Sequence, residues 1–138
     1  MRLIQRMEVD SGWSISFLFQ TGTPALPVAL SDWMFDGKAW ISELPSSYLN
    51  LTTLEVILPD DTVVPPRLTV QDYVIRETDI SINPNLVVGQ QVQLLVITLD
   101  EDDTAYLGDG VVEFEVRRVE PLPVRPIIKF KTVNHPGP

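Results

Sequence analysis

Apolar and polar residues alternate with a period of two along much of the chain. The run over residues 13–20 places four apolar side chains on one face: Trp13, Ile15, Phe17 and Phe19. Residues 112–117 repeat the pattern, with Val112, Phe114 and Val116 opposite charged side chains. This alternation is typical of β-strands that bury one face and expose the other.

A second kind of run is apolar almost throughout. Residues 91–99, QVQLLVITL, predict a longer strand that is buried on both faces. Short turn signals separate the runs, among them LPDDT at 58–62, LDEDDT at 99–104 and GDG at 108–110. Helix is nearly absent from the pattern, apart from a possible short turn within residues 42–50. We therefore predict an all-β, immunoglobulin-like antiparallel β-sandwich with an extended C-terminal arm.

The end of the chain differs from the rest in its proline content. Residues 121–138 hold five of the twelve prolines around a strand-like core, IIKFKTV. We divide the chain into a β-sandwich domain, residues 1–120, and a proline-rich C-terminal arm, residues 121–138. The strand in the arm either adds to the sheet edge of another chain or closes its own sandwich. Six residues of the two chain ends are predicted to bind partners: Leu3, Ile4, Ile127, Ile128, Phe130 and Val133.

Charge and cysteine content narrow the range of partners. The chain of 138 residues carries a net charge of −9, which repels nucleic-acid phosphates and anionic membranes. No apolar run approaches the roughly 20 residues of a membrane span, and the charged N-terminal segment is not that of a secretory signal. The absence of cysteine excludes disulfides and thiolate chemistry.

Few residues suggest catalysis, so we expect a protein that is not an enzyme and that has no cofactor or bound metal. The one histidine, His135, lies beside prolines near the end of the chain, where a triad could not be built around it. The acids at 100–103, DEDD, lack the spacing of an EF-hand loop and fit a solvated turn better than a cation site. A carboxylate pair for glycoside hydrolysis is the remaining enzymatic alternative.

The tryptophans offer one further candidate site. Trp13 and Trp40 occupy alternating strand patterns and are predicted to pack in the core. Trp33 falls at a turn and is the tryptophan expected to face outward, where it could contact a partner or stack on a sugar.

One resemblance connects these segments. The order of a strand over 13–19, then LPVALSDWMFDGKAWIS, then VGQQVQLLVITLDED and the closing TAYLGDGVVEFEV resembles the small β-sandwich at the N-terminus of phage baseplate and tail-fibre adaptor proteins. It covers roughly residues 7–119. In this pattern Leu30 and Trp33 are expected to pack, Gly37 to form a bend, and Asp32 and Asp36 to lie in turns.

The resemblance implies a virion structural protein of a phage tail or baseplate that acts as an assembly or fibre-attachment adaptor. Its partners would be other virion proteins, namely tail, baseplate, fibre or capsid subunits, and it would be homo-oligomeric in the assembly. Its localisation would be the virion. A capsid decoration protein and a carbohydrate-binding β-sandwich module are the alternatives.

Overall fold

A computed structural model describes residues 12–134, apart from the side chains at positions 13 and 82. Leu3, Ile4 and His135 lie outside the described residues. The described residues form eleven strands and two short helices in this order: β1 Gly12–Phe17, β2 Gln20–Thr21, β3 Leu26–Pro27, β4 Met34–Ile41, β5 Tyr48–Leu51, β6 Val56–Ile57, β7 Val63–Val64, β8 Leu68–Val74, α1 Glu77–Ile82, β9 Gln91–Asp100, α2 Glu101–Leu107, β10 Gly110–Glu120 and β11 Arg125–Asn134.

Two antiparallel sheets account for most of the fold. The first has three strands in the order β1-β9-β8, and the second has four in the order β11-β10-β4-β5. Two small hairpins, β2–β3 and β6–β7, form separate two-stranded sheets. The prediction of an all-β, antiparallel, sandwich-like fold is confirmed.

The main core lies between the two larger sheets. The three-stranded sheet contributes Phe17, Leu95 and Ile97, which are at most 1% exposed. The four-stranded sheet contributes Phe114 and Val116, which alternate with charged residues that face away from the core. Alternation along β10 therefore has the cause predicted from the sequence, because this strand has one face against the opposite sheet. β1 differs from the prediction, since Ser16 on its second face is buried as well.

Strand β9 is buried on both faces because a second cluster covers the far side of the three-stranded sheet. Leu18, Ile75 and Leu86 pack there against Val92, Leu94 and Val96 of β9, and Ile80 of α1 lies against them. On the opposite face, Leu95, Ile97 and Leu99 of β9 enter the main core. The continuous apolar run over 91–99 thus reflects a central strand with packing on both sides.

The C-terminal strand belongs to the domain's own sheet. β11 pairs antiparallel with β10 from Gly110↔Asn134 to Arg118↔Arg125, with one irregularity after Val116. The side-chain amide of Asn134 donates to the carbonyl oxygens of Thr104 and Gly108, at 2.9 and 2.7 Å. Of the two placements left open by the sequence, the structure has the one in which this strand closes its own sandwich. The arm expected for residues 121–138 is thereby corrected over residues 125–134.

Three local expectations are also corrected. Trp40 lies on the outer face of β4, half-buried, and its indole N–H donates to Glu113 Oε2 at 3.2 Å. Asp36 is within β4 rather than a turn and pairs with Arg117. Residues 101–107 form helix α2, where a solvated turn was predicted, because Asp100 and Asp103 make a capping box at its start.

Candidate functional site

The structure does not gather the predicted partner-binding residues of the C-terminal strand into one exposed surface. Ile128 is 5% exposed and belongs to the main core, and Ile127 and Phe130 are partly buried against it. Phe130 stacks on Phe114 with ring centroids 4.5 Å apart. Val133, which is 58% exposed, is the member of this group that remains available to a partner.

Trp33 closes the edge of the main core. Its ring centroid lies 5.8 Å from that of Phe19 and 5.9 Å from that of Phe35. The guanidinium carbon of Arg118 lies 4.9 Å from the centre of the indole ring. Because core aromatics and an arginine pack around it, Trp33 is half-buried and is not the outward-facing platform predicted from the sequence.

The acidic residues at 100–103 stabilise the start of helix α2. The backbone N–H of Asp103 donates to Asp100 Oδ1 at 2.8 Å, and the N–H of Asp100 donates back to Asp103 Oδ2 at 3.2 Å. Asp103 is buried, in contrast to the solvated turn predicted for it. Within residues 12–134, no three His, Cys, Asp or Glu side chains converge in a way that could hold a metal ion.

The most unusual surface is the segment over residues 53–66, TLEVILPDDTVVPP, which we name the acidic hairpin. It connects β5 of one sheet to β8 of the other and folds into the short hairpin β6–β7. It exposes five large apolar side chains: Leu54 (75%), Val56 (40%), Ile57 (68%), Leu58 (40%) and Val63 (51%). It also carries three acids and no Lys or Arg.

The tip of the acidic hairpin is held in a defined conformation. The N–H of Leu58 donates to the Thr62 carbonyl oxygen at 2.9 Å, and the N–H of Thr62 donates to Asp60 Oδ1 at 3.0 Å. Hydrogen bonds from Thr62 hold the pKa of the Asp60 carboxyl below its ordinary value. Asp61 adopts a φ of 65°, a left-handed conformation that aspartate tolerates in turns.

A polar clasp fixes the base of the acidic hairpin to the sandwich. Arg67 donates through Nε and Nη2 to both carboxylate oxygens of Asp103, at 3.0 and 2.7 Å, and through Nη1 to the Asn50 carbonyl oxygen at 3.1 Å. The backbone N–H groups of Arg67 and Leu68 both donate to the Thr52 carbonyl oxygen at 3.0 Å. The two ends of the hairpin therefore meet at one point.

The electrostatics of the clasp favour a permanent ion pair. Hydrogen bonds to Asp103 raise the pKa of the Arg67 guanidinium above its ordinary value, although burial acts in the opposite direction. Both side chains are largely shielded from water, with 17% of Arg67 and 10% of Asp103 exposed. A bidentate pair of this kind is directional as well as strong. The ends of the acidic hairpin are consequently held to the sandwich by this ion pair.

A second feature is a polar depression of about 340 Å³ on the outer face of the four-stranded sheet. Asp36, Lys38 and Trp40 of β4 line it, together with Asn50 and Arg117 of the neighbouring strands. Arg117 and Asp36 form a bidentate pair across it, at 2.8 and 2.7 Å. The depression therefore combines an aromatic ring with charged and amide groups.

Comparison with known proteins identifies no relative: no family model, curated protein or solved structure matches the chain. None of the helices within residues 12–134 is long and apolar enough to cross a membrane.

The acidic hairpin was read from the sequence only as a turn. Its two apolar runs, VIL and VV, have no polar residue on alternate positions, so they lack the pattern of a strand with one exposed face. The missing alternation next to two consecutive aspartates was the feature of the sequence that could have indicated an unusual segment here. This feature does not by itself distinguish a buried strand from an exposed one.

Proposed function

We propose that the chain is a structural subunit that docks onto other subunits through its acidic hairpin, in a phage tail or baseplate assembly. The virion setting rests on the resemblance drawn from the sequence. The docking role rests on one observation, the five large apolar side chains exposed between Leu54 and Val63.

Exposed apolar side chains in such a small segment need a reason. A two-stranded hairpin alone is marginally stable in water, and none of the side chains of β6 or β7 belongs to either core cluster. Monomeric proteins rarely expose contiguous apolar patches unless a partner covers them. Burying one such side chain contributes about 1.5–3 kcal/mol, so a few of them can supply the affinity of a docking contact.

The clasp at the base of the hairpin supports the same role. A flexible loop loses conformational entropy when it binds, and that loss reduces affinity. Because Arg67, Asp103 and Thr52 already fix the ends of the hairpin, most of this entropy is lost during folding instead. The hairpin is thus preorganised for recognition by shape.

A carbohydrate-binding module is the second candidate, and the polar depression favours it. Sugars bind where an aromatic ring lies among amide and charged groups, and Trp40, Asn50 and Arg117 provide these groups. Titration calorimetry with soluble oligosaccharides would then detect heat that Trp40→Ala abolishes. Binding that is unchanged in the variant would exclude the depression as its site.

The docking proposal is tested by where the protein sediments. Particles are prepared from cultures in which the gene for this chain is wild type or carries either Ile57→Asp or the control Val88→Asp. The particles are then separated on a density gradient. Val88 is an exposed apolar residue like Ile57, with 55% of its surface accessible, but it lies far from the hairpin in sequence. We expect the wild type and Val88→Asp to sediment with particles and Ile57→Asp to remain at the top. A wild-type chain found only at the top, in a culture that contains assembled particles, would refute the proposal.

A further inference from the structure

Two exposed segments of the molecule carry opposite charges. The acidic hairpin, residues 53–66, holds Glu55, Asp60 and Asp61 and no cation. The segment 121–134, which contains β11, holds Arg125, Lys129 and Lys131 and no acid. This segment is therefore basic in a chain whose net charge is −9.

β11 is also an edge strand. Among the described strands it pairs with β10 on one side and with no strand on the other. The free side of such a strand presents backbone N–H and C=O groups that another strand can pair with. Phe130 on this strand stays only partly buried, although it stacks on Phe114, and none of the described strands lies along the outer edge of β11.

The lysines of β11 remain available for a partner. Their ammonium nitrogens lie 3.9 Å from Glu115 (Lys129) and 3.6 Å from Glu113 (Lys131), and 74% and 66% of these side chains are exposed. Exposed pairs at such distances hold their side chains weakly. Carboxylates of another molecule could therefore bind both lysines with little loss of existing interaction energy.

We infer that the acidic hairpin of one copy of this chain adds alongside the basic edge strand β11 of a second copy. The inference rests on the proposed docking role of the hairpin and names the subunit that receives it. Backbone hydrogen bonds along β11 would provide affinity, and Ile57 and its neighbours would cover Phe130 and Val133. The acids of the hairpin would lie among Arg125, Lys129 and Lys131.

Charge makes this pairing selective. Lysines on an edge strand discourage neutral or basic strands from pairing with it. The same lysines attract a hairpin that has three acids and no cation, whereas two β11 strands would repel each other. The edge of β11 therefore disfavours pairing with neutral or basic strands and favours pairing with an acidic one.

The geometry also fixes the type of assembly. Because the two contacting surfaces are different parts of the chain, the contact is head-to-tail rather than two-fold symmetric. After pairing, the copy that gave its hairpin keeps a free edge, and the copy that gave its edge keeps a free hairpin. Copies therefore assemble into a closed ring or an open filament.

The test is the oligomeric state of the purified full chain, measured by light scattering during gel filtration. The hairpin variant carries Glu55→Lys and Asp60→Lys, and the strand variant carries Lys129→Glu and Lys131→Glu. A control variant carries Glu43→Lys and Asp72→Lys, which makes the same charge change as the hairpin variant at exposed positions elsewhere. Circular dichroism establishes that each variant is folded. Ile57→Asp replaces the hairpin variant, and Val133→Asp the strand variant, in the test of dissociation if either one is not.

We expect wild-type multimers that grow with concentration up to about 1 mM, the weak end of specific association. Each charge variant alone should dissociate with an apparent Kd raised about 10-fold or more, because like charges then face each other. An equimolar mixture of the two should recover multimers, since the reversed hairpin fits the reversed strand and the native surfaces fit one another. The control should behave as the wild type does.

Two results would overturn the inference. One is a wild-type chain that stays monomeric over the whole concentration range. The other is a mixture of the charge variants that remains dissociated. If such a monomer nevertheless sediments with particles, the proposed docking function stands and the receiving subunit is a different protein.

Discussion

Gly37 lies where the four-stranded sheet leaves no room for a side chain. A Cβ at this position would lie 2.7 Å from the backbone oxygen of Glu115 and 3.2–3.3 Å from side-chain atoms of Val116 and Leu51. The glycine was expected to form a bend, yet it lies within the continuous strand β4. Its role is to allow a close approach between β4, β10 and β5.

Replacing Gly37 with alanine should therefore destabilise the fold. Gly37→Ala is expected to lower the free energy of unfolding by about 1–3 kcal/mol, because the backbone of β10 must shift to admit the methyl group. Chemical denaturation measures this directly. Lys38→Ala, at the exposed neighbouring position, should change stability by about 0.5 kcal/mol or less. Equal stability of Gly37→Ala and the wild type would show that β10 has room to spare.

Single residues also mark where sequence interpretation succeeded and failed. The buried faces of Ile15, Phe17 and Phe114 followed from alternation alone, since period two identifies one face of a strand. Trp40 was assigned to the core from its place in an alternating strand pattern. It lies instead on the outer face, in step with Asp36 and Lys38, where a bond to Glu113 satisfies its N–H. Alternation identified the strand here but not which of its two faces is buried.

At the scale of elements, the clasp between Arg67 and helix α2 joins distant parts of the chain. The capping box of Asp100 and Asp103 is a local signal, three residues apart, and could have predicted the helix. The partner of Asp103 could not be predicted, because Arg67 lies 36 residues away. Only the fold brings β8 and α2 together.

Breaking this clasp should loosen the acidic hairpin. Arg67→Ala leaves the Asp103 carboxylate shielded from water without its ion pair, and we expect a loss of about 2–3 kcal/mol in the free energy of unfolding. Hydrogen exchange over residues 53–66 should accelerate. Arg67→Lys keeps the charge but not the bidentate geometry, so it should fall between the two. Unchanged exchange in Arg67→Ala would mean that the hairpin holds its shape without the clasp.

The C-terminal strand yields a second prediction at this scale. Phe130→Ala should lower the free energy of unfolding by about 2–3 kcal/mol, since the ring packs on Phe114 and Phe17. Val133→Ala, at a site that is 58% exposed, is the matched control and should have little effect. Thermal unfolding of both variants decides the matter. A projecting arm would require Phe130→Ala to be as stable as its control.

The whole molecule is an antiparallel sandwich with an apolar, acidic hairpin at one edge and a basic strand at another. The class of fold was predictable, because period-two runs and frequent turns leave few alternatives. The pairing order of the strands was not, since it depends on contacts between residues far apart in the chain. For the same reason, composition could not distinguish the exposed apolar residues of the hairpin from the buried ones of the core.

The most direct test of the docking role measures whether assembly covers the hairpin. The chain has no cysteine, so Ile57→Cys and the control Val88→Cys each introduce a single thiol whose reaction with a maleimide can be timed. Both positions are exposed in the isolated chain and should react quickly there. In the assembled state we expect the reaction at position 57 to slow about 10-fold or more, and that at position 88 to stay as it was. Equal rates at position 57 in the free and assembled protein would contradict docking through the hairpin.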